Sequence, residues 1–343
     1  MDIKLFDYHL PGGYIAQTPL RERDQSKLMI LDRKNGKIQH RKFHDIVEYL
    51  NPEDILVLNN SKVLPVRLFG KKKRTGGQIE VLLIKPLSNF QWKVLMKPGK
   101  RIHPGTEIHF SHELEGKVVE KDENEGIFLI SMYFKGDFYK ILNKIGKMPT
   151  PPYIKKEILN SSYYQTVYAS EEGSIAAPTA GFHFTNKTIK DIGNKGIKII
   201  FLTLHIGRGT FEMMKVNKVE NHKMKSEIYT LSEENAEFIN EAIENKRRIV
   251  GVGTSVTRAL ESSVDPVKKD RVIAGTRWTD LFIYPGYKFK IIKALITNFH
   301  LPRSTPLMLA SAFAGKDFLL SAYNKALKNK YRFYSFGDAM FII

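Results

Sequence analysis

Short apolar blocks bounded by polar turn residues predict two strands in the first 60 positions. The run Lys27-Leu28-Met29-Ile30-Leu31-Asp32 is typical of a strand, and Asn35-Gly36 places a turn after it because these residues tolerate positive φ. The run 54–60, which follows Pro52 and ends in Asn59-Asn60 before Ser61, predicts a short buried strand. The first 60 residues are thus expected to be compact.

Between residues 61 and 149 the apolar runs become shorter, and glycine and proline separate them. Strands are predicted at 78–84, 91–96, 107–110, 116–119 and 127–134. Many short strands with turn residues at close spacing are typical of a small antiparallel barrel or sandwich. The proline cluster at 149–152 predicts a linker, so we interpret the barrel as an insertion.

After this linker, helical and strand patterns alternate. Helices are predicted at 185–195, 233–245, 255–262 and 317–329, and strands at 197–204, 248–251 and 294–298. The helix at 233–245 carries its apolar residues on one face and has Thr230 or Ser232 as its cap. Such alternation favours an α/β layer. The predicted fold class is therefore α/β and β: a discontinuous α/β domain (1–60 and 150–343) with an inserted antiparallel β-barrel domain (61–149).

The length of 343 residues fits this division, because a domain has about 150 residues on average. The chain has no cysteine, which excludes disulfides, thiolate catalysis, zinc–cysteine sites and iron–sulfur clusters. The apolar stretches 197–204 and 306–314 are shorter than the roughly 20 residues of a membrane span, and the amino terminus lacks the apolar core of a signal peptide. We expect a cytoplasmic protein that does not enter a membrane.

The balance of charges is strongly basic. Lys and Arg number 54 against 36 Asp and Glu, a net charge of +18. Such a surface attracts polyanions, of which nucleic acid is the commonest. The alternative is that an AT-rich genome, which favours lysine codons, produces the same bias without any functional demand.

Two polar, glycine-rich segments stand at predicted boundaries between strands and helices. Segment 173–185 precedes a helix and contains Thr179, Gly181 and His183; small residues there allow a ligand to approach the backbone. Segment 204–211 follows a buried strand and contains His205, Gly207 and Thr210, where ligands of α/β sheets bind. The alternatives are a tight loop around a core histidine and a plain glycine turn. The second segment lacks the rest of a dinucleotide fingerprint, so a Rossmann site is rejected.

A third segment, 250–261, combines a strand, two glycines and a hydroxyl-rich helix start. Thr254, Ser255 and Arg258 predict a cradle for a phosphate or a carboxylate, although the Walker lysine is missing. The alternative is structural: Thr254 and Ser255 cap the helix, and Arg258 pairs with Glu261 or Asp265.

Two further segments, 279–305 and 331–340, interleave aromatic with polar residues. In the first, Asp280, Tyr284, Asn298, Phe299, His300 and Arg303 suit stacking on a base and contacts to its edges. Aromatic residues at such spacing also occur in cores, and that alternative stays open. The second is interpreted as a closing strand.

Taken together, these segments resemble one family nearly from end to end. The chain is similar to the S-adenosylmethionine:tRNA ribosyltransferase-isomerases of the queuosine pathway. The resemblance lies in Phe6-Asp7-Tyr8-His9-Leu10-Pro11, Leu58-Asn59-Asn60-Ser61-Lys62-Val63, Arg67-Leu68-Phe69-Gly70, Tyr164-Gln165-Thr166-Val167-Tyr168-Ala169 and the segments 177–185, 281–287, 297–304 and 331–340. The chain departs from the family pattern at Arg208, at Lys225, at 212–214 and at 254–257.

The resemblance implies a reaction and its partners. The family transfers the ribosyl part of S-adenosylmethionine to 7-aminomethyl-7-deazaguanine at the tRNA wobble position, isomerises it to an epoxycyclopentane, and releases adenine and methionine. It implies a discontinuous α/β domain with an inserted barrel, a tRNA with a GUN anticodon as partner, and a monomer. It implies no metal and no cofactor, since S-adenosylmethionine is a consumed co-substrate.

The reaction requires a base for a proton made acidic by the sulfonium, an acid to assist adenine's departure, and donors for the methionine carboxylate. His183, His205 and His300 are the proton-transfer candidates because histidine titrates near neutral pH. Asp280 and Glu227 are candidates for the base or its orienting partner. The predicted substrate-binding residues are Thr179, Gly181, Gly207, Thr210, Thr254, Ser255, Arg258, Tyr284, Asn298, Phe299 and Arg303.

Two other classes compete with this interpretation. A non-catalytic RNA-binding protein would use the basic barrel and the aromatic residues only to hold tRNA, but the glycine-, histidine- and threonine-rich loops argue against it. An α/β hydrolase would need a Gly-x-Ser-x-Gly elbow, which the sequence lacks.

Overall fold

Nine strands form one sheet and six others close into a barrel, within the part of the chain that the computed structural model describes: residues 1–87, 89–123, 125–156, 158, 160–207 and 213–343. Residues 1–62 and 151–343 make one compact unit, and residues 63–150 make the other. The sequence patterns predict 61 and 149 as the bounds of the barrel, close to those of the second unit. The predicted fold class is confirmed.

The strands and helices have the following bounds. The strands are β1 Lys27–Asp32, β2 Lys37–Lys42, β3 Ile55–Asn59, β4 Ser61–Val63, β5 Arg67–Lys72, β6 Gln78–Pro86, β7 Gln91–Lys97, β8 Glu107–Ser111, β9 Leu114–Asp122, β10 Ile127–Phe134, β11 Glu171–Ser174, β12 Lys198–Leu204, β13 Glu227–Leu231, β14 Ile249–Val252, β15 Gly275–Thr279, β16 Ala294–Asn298 and β17 Ala339–Ile342. The helices are α1 Ile46–Tyr49, α2 Phe138–Ile145, α3 Asn186–Asn194, α4 Glu233–Glu244, α5 Thr254–Ser262, α6 Thr305–Ala314 and α7 Lys316–Lys328.

The large sheet has a parallel centre and antiparallel flanks. Its order is β15-β13-β12-β3-β14-β16-β17-β1-β2, in which β12, β3, β14 and β16 run parallel to one another. Every residue of β3, β14 and β16 is buried, as expected for strands covered on both faces. The carboxyl ends of these four strands therefore meet at one edge.

Alternate residues of the strands supply two cores, one on each face of the sheet. Ile55 and Val57 belong to the core that includes residues of helices α4 to α7, whereas Leu56 and Leu58 pack with Phe184 and Ile192 on the other face. This period of two is the consequence of strand geometry. The unit is an α/β layer with helices on both sides.

Six strands close into a barrel in the order β10-β7-β6-β5-β8-β9. Of the two predicted architectures, a barrel or a sandwich, the structure has the barrel. Along β7, Trp92, Val94 and Met96 are buried while Lys93 and Lys97 are exposed. The same alternation holds on β6 and β10, so apolar residues fill the interior and charged residues cover the outside.

Physical reasons explain why the sequence patterns did not predict helix α6 and strand β15. Helix α6 is buried on all sides, so no polar face marks its period, and 306–314 stood out only as an apolar stretch. Edge strand β15 is mostly exposed and lacks an apolar block. The cap of α4 is Ser232, whose Oγ accepts the N–H of Asn235 at 3.2 Å.

Candidate active site

A cleft lies where the parallel strands of the large sheet end. Gly253 follows β14, and Asn298 ends β16, at the carboxyl edge where α/β sheets bind their ligands. The cleft encloses about 680 Å³, including the part open to solvent. Seven of the predicted site residues line it: Thr179, Glu227, Thr254, Ser255, Arg258, Asn298 and His300. An adjoining cleft of about 460 Å³ shares Thr179, Thr254, Asn298 and His300 with it.

Two helices begin at the wall of the cleft. Thr254 opens α5 and Thr305 opens α6, and both residues line the cleft. Unpaired N–H groups and the helix dipole make such ends favourable for an anion. The backbone of Gly253 enters α5 at φ +90° and ψ 158°, a region that only glycine populates readily. This glycine is the N-cap, so the alternative in which Thr254 or Ser255 caps the helix is wrong.

Polar and apolar groups alternate around the cleft. Ala177, Ile206 and Leu309 provide apolar wall, and the half-buried ring of Phe282 also lines it. The Oγ1 atom of Thr305, a residue that is 6% exposed, has no hydrogen-bond partner among the described residues. A buried hydroxyl without a partner is costly, so this atom is ready to bind a polar ligand.

A buried ion pair joins Arg258 to Glu227. Nη1 of Arg258 donates to Oε2 of Glu227, while Nε donates to the carbonyl of Leu281 at 3.0 Å and Nη2 to that of Thr279 at 3.3 Å. Oε1 of Glu227 accepts the N–H of Gly207 at 2.7 Å. The guanidinium is thus engaged on every nitrogen. The bond from Nη1 holds the carboxylate of Glu227 in a fixed orientation.

The structural alternative for Arg258 named the wrong carboxylates. Glu261 accepts backbone N–H groups of Lys290, Ile291 and Ile292 at 2.9 to 3.0 Å. Asp265 accepts those of Val267 and Lys268 in an exposed turn. Sequence distance along the helix suggested these partners, whereas the sheet brings Glu227 of β13 to Arg258.

His183 is buried between two polar partners. Its Nδ1 lies 2.7 Å from Oγ of Ser26, and its Nε2 lies 3.1 Å from Nδ2 of Asn298. Burial, with Arg332 and Arg23 nearby, lowers the pKa of His183 to about 3. The expected titration near neutral pH is therefore wrong. The ring also lines a small second cleft with Arg23, Arg332, Phe182 and Phe336.

Burial also lowers the pKa values of His300 and His205. Nε2 of His300 is 2.8 Å from Oγ1 of Thr297, and burial lowers the pKa of His300 to about 3 although the residue keeps part of its surface exposed. Burial lowers the pKa of His205, which lies outside the cleft lining near Gly173, and its Nδ1 has no partner within the described part of the chain. The prediction of titration near neutral pH is therefore wrong for His300.

Several predicted site residues have structural surroundings instead. Phe299 belongs to the wall of the adjoining cleft but is fully buried, and its ring centroid lies 5.0 to 5.4 Å from those of Tyr323, Tyr331 and Phe333, so the ring packs in the core. A Cβ on Gly181 would lie 2.1 Å from Oη of Tyr168, so this glycine serves packing. The physical reason in both cases is burial.

The remaining predicted residues lie away from the cleft wall. Asp280 is exposed, Arg303 pairs with Asp7, and the ring of Tyr284 packs 5.1 Å from that of Phe282. Gly207 approaches the site through its N–H bond to Glu227. Thr210 and Arg208 lie outside the described residues.

Sequence reasoning missed several residues that complete the site. Ser26 begins the chain segment that leads into β1, and Thr305 and Met224 line the cleft. Ser26 lies at the site because β1 and β17 run opposite to β16, so their amino ends reach the same sheet edge. The serine-capped start of α6, at Ser304-Thr305-Pro306, was the available signal for Thr305.

Two negative findings concern the described residues only. None of the helices there has the length and apolar character needed to cross a bilayer. No three His, Asp or Glu side chains converge there in the manner of a metal site.

Comparison with known proteins supports one family. A model of the family described as queuosine biosynthesis protein matches residues 3–342. Proteins of two Clostridium kluyveri strains, named S-adenosylmethionine:tRNA ribosyltransferase-isomerase, are each 50% identical over 343 residues, all of both chains. The crystal structure of a Thermotoga maritima S-adenosylmethionine tRNA ribosyltransferase superposes with a TM-score of 0.56 at 38% identity, covering 99% of this chain and 100% of that one. This chain belongs to the queuosine biosynthesis protein family.

Proposed function

We propose that the protein is a transferase-isomerase that transfers the ribosyl part of S-adenosylmethionine to 7-aminomethyl-7-deazaguanine in tRNA. The product is epoxyqueuosine, with adenine and methionine released. One observation carries the proposal: the cleft at the sheet edge combines two helix amino termini, apolar walls and the carboxylate of Glu227 in a chain of the queuosine family. A substrate with a carboxylate, a flat base and a cationic sulfur matches those three features.

The anionic end of S-adenosylmethionine is assigned to the starts of α5 and α6. The backbone N–H groups there and the unpartnered Oγ1 of Thr305 are donors for the methionine carboxylate. Arg258 supports this arrangement indirectly, because each of its three nitrogens already donates to Glu227, Leu281 or Thr279. Phe282 replaces Phe299 as the ring available to adenine, since it is half-buried and lines the cleft.

Glu227 is the best-supported proton acceptor. Its carboxylate is 6% exposed, lines the cleft and is oriented by Arg258 and by the N–H of Gly207. A carboxylate held in this way is suited to remove the proton that the neighbouring sulfonium acidifies. His183 and His300 serve as neutral hydrogen-bonding groups. Asp280 is exposed and does not line the cleft, so Glu227 is preferred to it as the base.

The nucleic-acid partner is proposed to be a tRNA with a GUN anticodon, bound by a monomer. The net charge of +18 supports a polyanionic partner. A tRNA substrate also supports the cytoplasm as the place of action. S-adenosylmethionine is consumed, so no further cofactor is proposed.

The decisive experiment combines purified protein, S-adenosylmethionine and tRNA that carries the deazaguanine precursor. Nucleosides are analysed by mass spectrometry. The modified nucleoside should gain the ribosyl-derived mass while free adenine appears. A gain of only a methyl group would instead mean a methyltransferase and would refute the proposal.

A further inference from the structure

One side of the barrel sequence is strongly basic. Residues 67–101 contain ten Lys and Arg residues and a single acidic residue, Glu80, whereas residues 102–137 contain three Lys residues and eight acidic ones. The first stretch forms β5, β6 and β7, which are neighbours in the barrel. The basic character is therefore concentrated on adjacent strands rather than spread over the unit.

The strand register gathers outward-facing residues of this stretch around a groove. Phe69 of β5 is opposite Glu80 of β6, and Glu80 is opposite Lys97 of β7. Lys71 is opposite Gln78 on one side and His109 of β8 on the other. These residues line a groove of about 1220 Å³, including the part open to solvent.

The positive charge in this groove is uncompensated. Glu80 lies 3.4 Å from Nε of Arg67, so its negative charge is already balanced. Lys71 and Lys97 are exposed, and neither forms an ion pair with any carboxylate of the described residues. Two exposed ammonium groups on β5 and β7, the strands on either side of β6, attract a chain of regularly spaced anions.

An exposed aromatic ring stands beside these lysines. Phe69 is 50% exposed, and Nζ of Lys147 lies 5.5 Å from its ring centroid. The next residue is Gly70, where a Cβ would lie 2.7 Å from the carbonyl of His109. Because Gly70 has no side chain, β5 and β8 approach each other closely at this position. The Phe69 ring therefore projects beside a shallow part of the groove. Cationic groups together with an aromatic platform are typical of surfaces that bind single-stranded nucleic acid.

We propose that this groove on the barrel binds single-stranded nucleotides of the tRNA substrate. Lys71 and Lys97 contact phosphates, and the Phe69 ring stacks on a base. The inference rests on the proposed function, because it assigns a surface to the same tRNA. It adds a binding site in the barrel unit that is built from residues outside the cleft.

The first test measures tRNA affinity of the full-length protein as a function of salt. The variant Lys71→Gln/Lys97→Gln is compared with the control Lys135→Gln/Lys140→Gln, which removes the same charge from exposed positions outside the groove. Losing two phosphate contacts should weaken binding about tenfold near 0.15 M salt and make the slope of log affinity against log salt shallower by about 1.4. The control should keep the wild-type slope.

The second test uses Phe69→Ala. Loss of one stacked base should weaken tRNA binding by about 5- to 150-fold, while calorimetry with S-adenosylmethionine alone and the melting temperature stay at wild-type values. In turnover, KM for tRNA should rise with kcat unchanged at saturating tRNA.

The outcomes separate the two proposals. Wild-type turnover with equal affinity for all variants would overturn the groove assignment and leave the proposed function standing. An equal loss in the groove and control variants would show that overall charge carries binding, which also overturns it. If the wild-type protein forms no epoxyqueuosine while the groove variants show the predicted losses of affinity, the proposed function is overturned and the groove remains a nucleic-acid site.

Discussion

Nδ2 of Asn298 donates a hydrogen bond to Nε2 of His183 across 3.1 Å, and this contact determines the tautomer of the imidazole. Because Nε2 accepts, the ring proton resides on Nδ1 and is donated to Oγ of Ser26 at 2.7 Å. Oδ1 of Asn298 accepts from Oγ1 of Thr179, a residue of the cleft wall. His183 therefore links Ser26 to Asn298 through its two ring nitrogens, and we expect it to act by positioning Asn298.

Burial of His183 should make the protein less stable in acid. Its pKa lies near 3 in the folded protein and near 6.5 in an unfolded chain, so between these values the unfolded state binds more protons. The free energy of unfolding should then fall with decreasing pH below about 6.5, by up to about 1.4 kcal/mol per pH unit from this residue. Urea unfolding at pH 7, 6 and 5 measures the slope.

The variant His183→Gln should show a shallower slope than wild type. Replacement of His112 by Gln is the control, because it removes an imidazole whose side chain is 80% exposed. Equal slopes for wild type and His183→Gln would show that His183 binds protons equally in the folded and the unfolded protein, which would contradict its lowered pKa.

The positioning role of His183 predicts a specific kinetic effect. His183→Leu removes both hydrogen bonds, so that Nδ2 of Asn298 keeps only the carbonyl of Tyr334 at 3.2 Å as its partner. If the roughly 1–3 kcal/mol cost of a lost buried partner falls on the transition state, turnover should decrease by about 5- to 150-fold. His183→Gln keeps an acceptor for Asn298 and should recover part of this loss. Because the ring is neutral, the shape of the pH profile of kcat between pH 5 and 9 should not depend on residue 183. If an ionisation disappears from the kcat profile of His183→Gln, His183 itself takes part in proton transfer.

The sequence predicted the sheet edge but not the identity of every group there. Thr254, Ser255 and Asn298 could be found because strand-to-helix boundaries with small polar residues are visible as patterns. Phe299 could not be told from a stacking ring, because its burial depends on Tyr323, Tyr331 and Phe333, which the fold brings in from later segments. The neutral state of His183 likewise depends first on its burial by the fold, and then on the charges of Arg332 and Arg23, which are distant in sequence.

Thr305 offers a test of ligand binding that is separate from folding. Its Oγ1 is buried without a partner among the residues described, so Thr305→Val removes an unsatisfied group and should leave the free protein at least as stable as wild type. Binding of S-adenosylmethionine should weaken by about 2- to 12-fold, the equivalent of one hydrogen bond. Calorimetry and thermal melting measure the two effects. A lowered melting temperature together with normal binding of S-adenosylmethionine would show that the Thr305 hydroxyl has a structural role.

The pair of Arg258 and Glu227 predicts strong coupling between two residues of the cleft. Both side chains are at most 7% exposed, and removing one partner of a buried pair costs about 3–5 kcal/mol because the other charge stays buried alone. Arg258→Met and Glu227→Leu should each destabilise the protein by about that amount in urea unfolding.

The double variant should cost less than the sum of the two single variants, because it leaves no isolated charge in the cleft. Turnover separates the chemical role from the structural one. Glu227→Gln keeps the shape of the side chain and should lower kcat by about 100- to 10,000-fold if Glu227 removes the substrate proton, with S-adenosylmethionine binding retained. Additive stabilities in the cycle would show that the pair is not coupled, and normal turnover of Glu227→Gln would assign the base to another group.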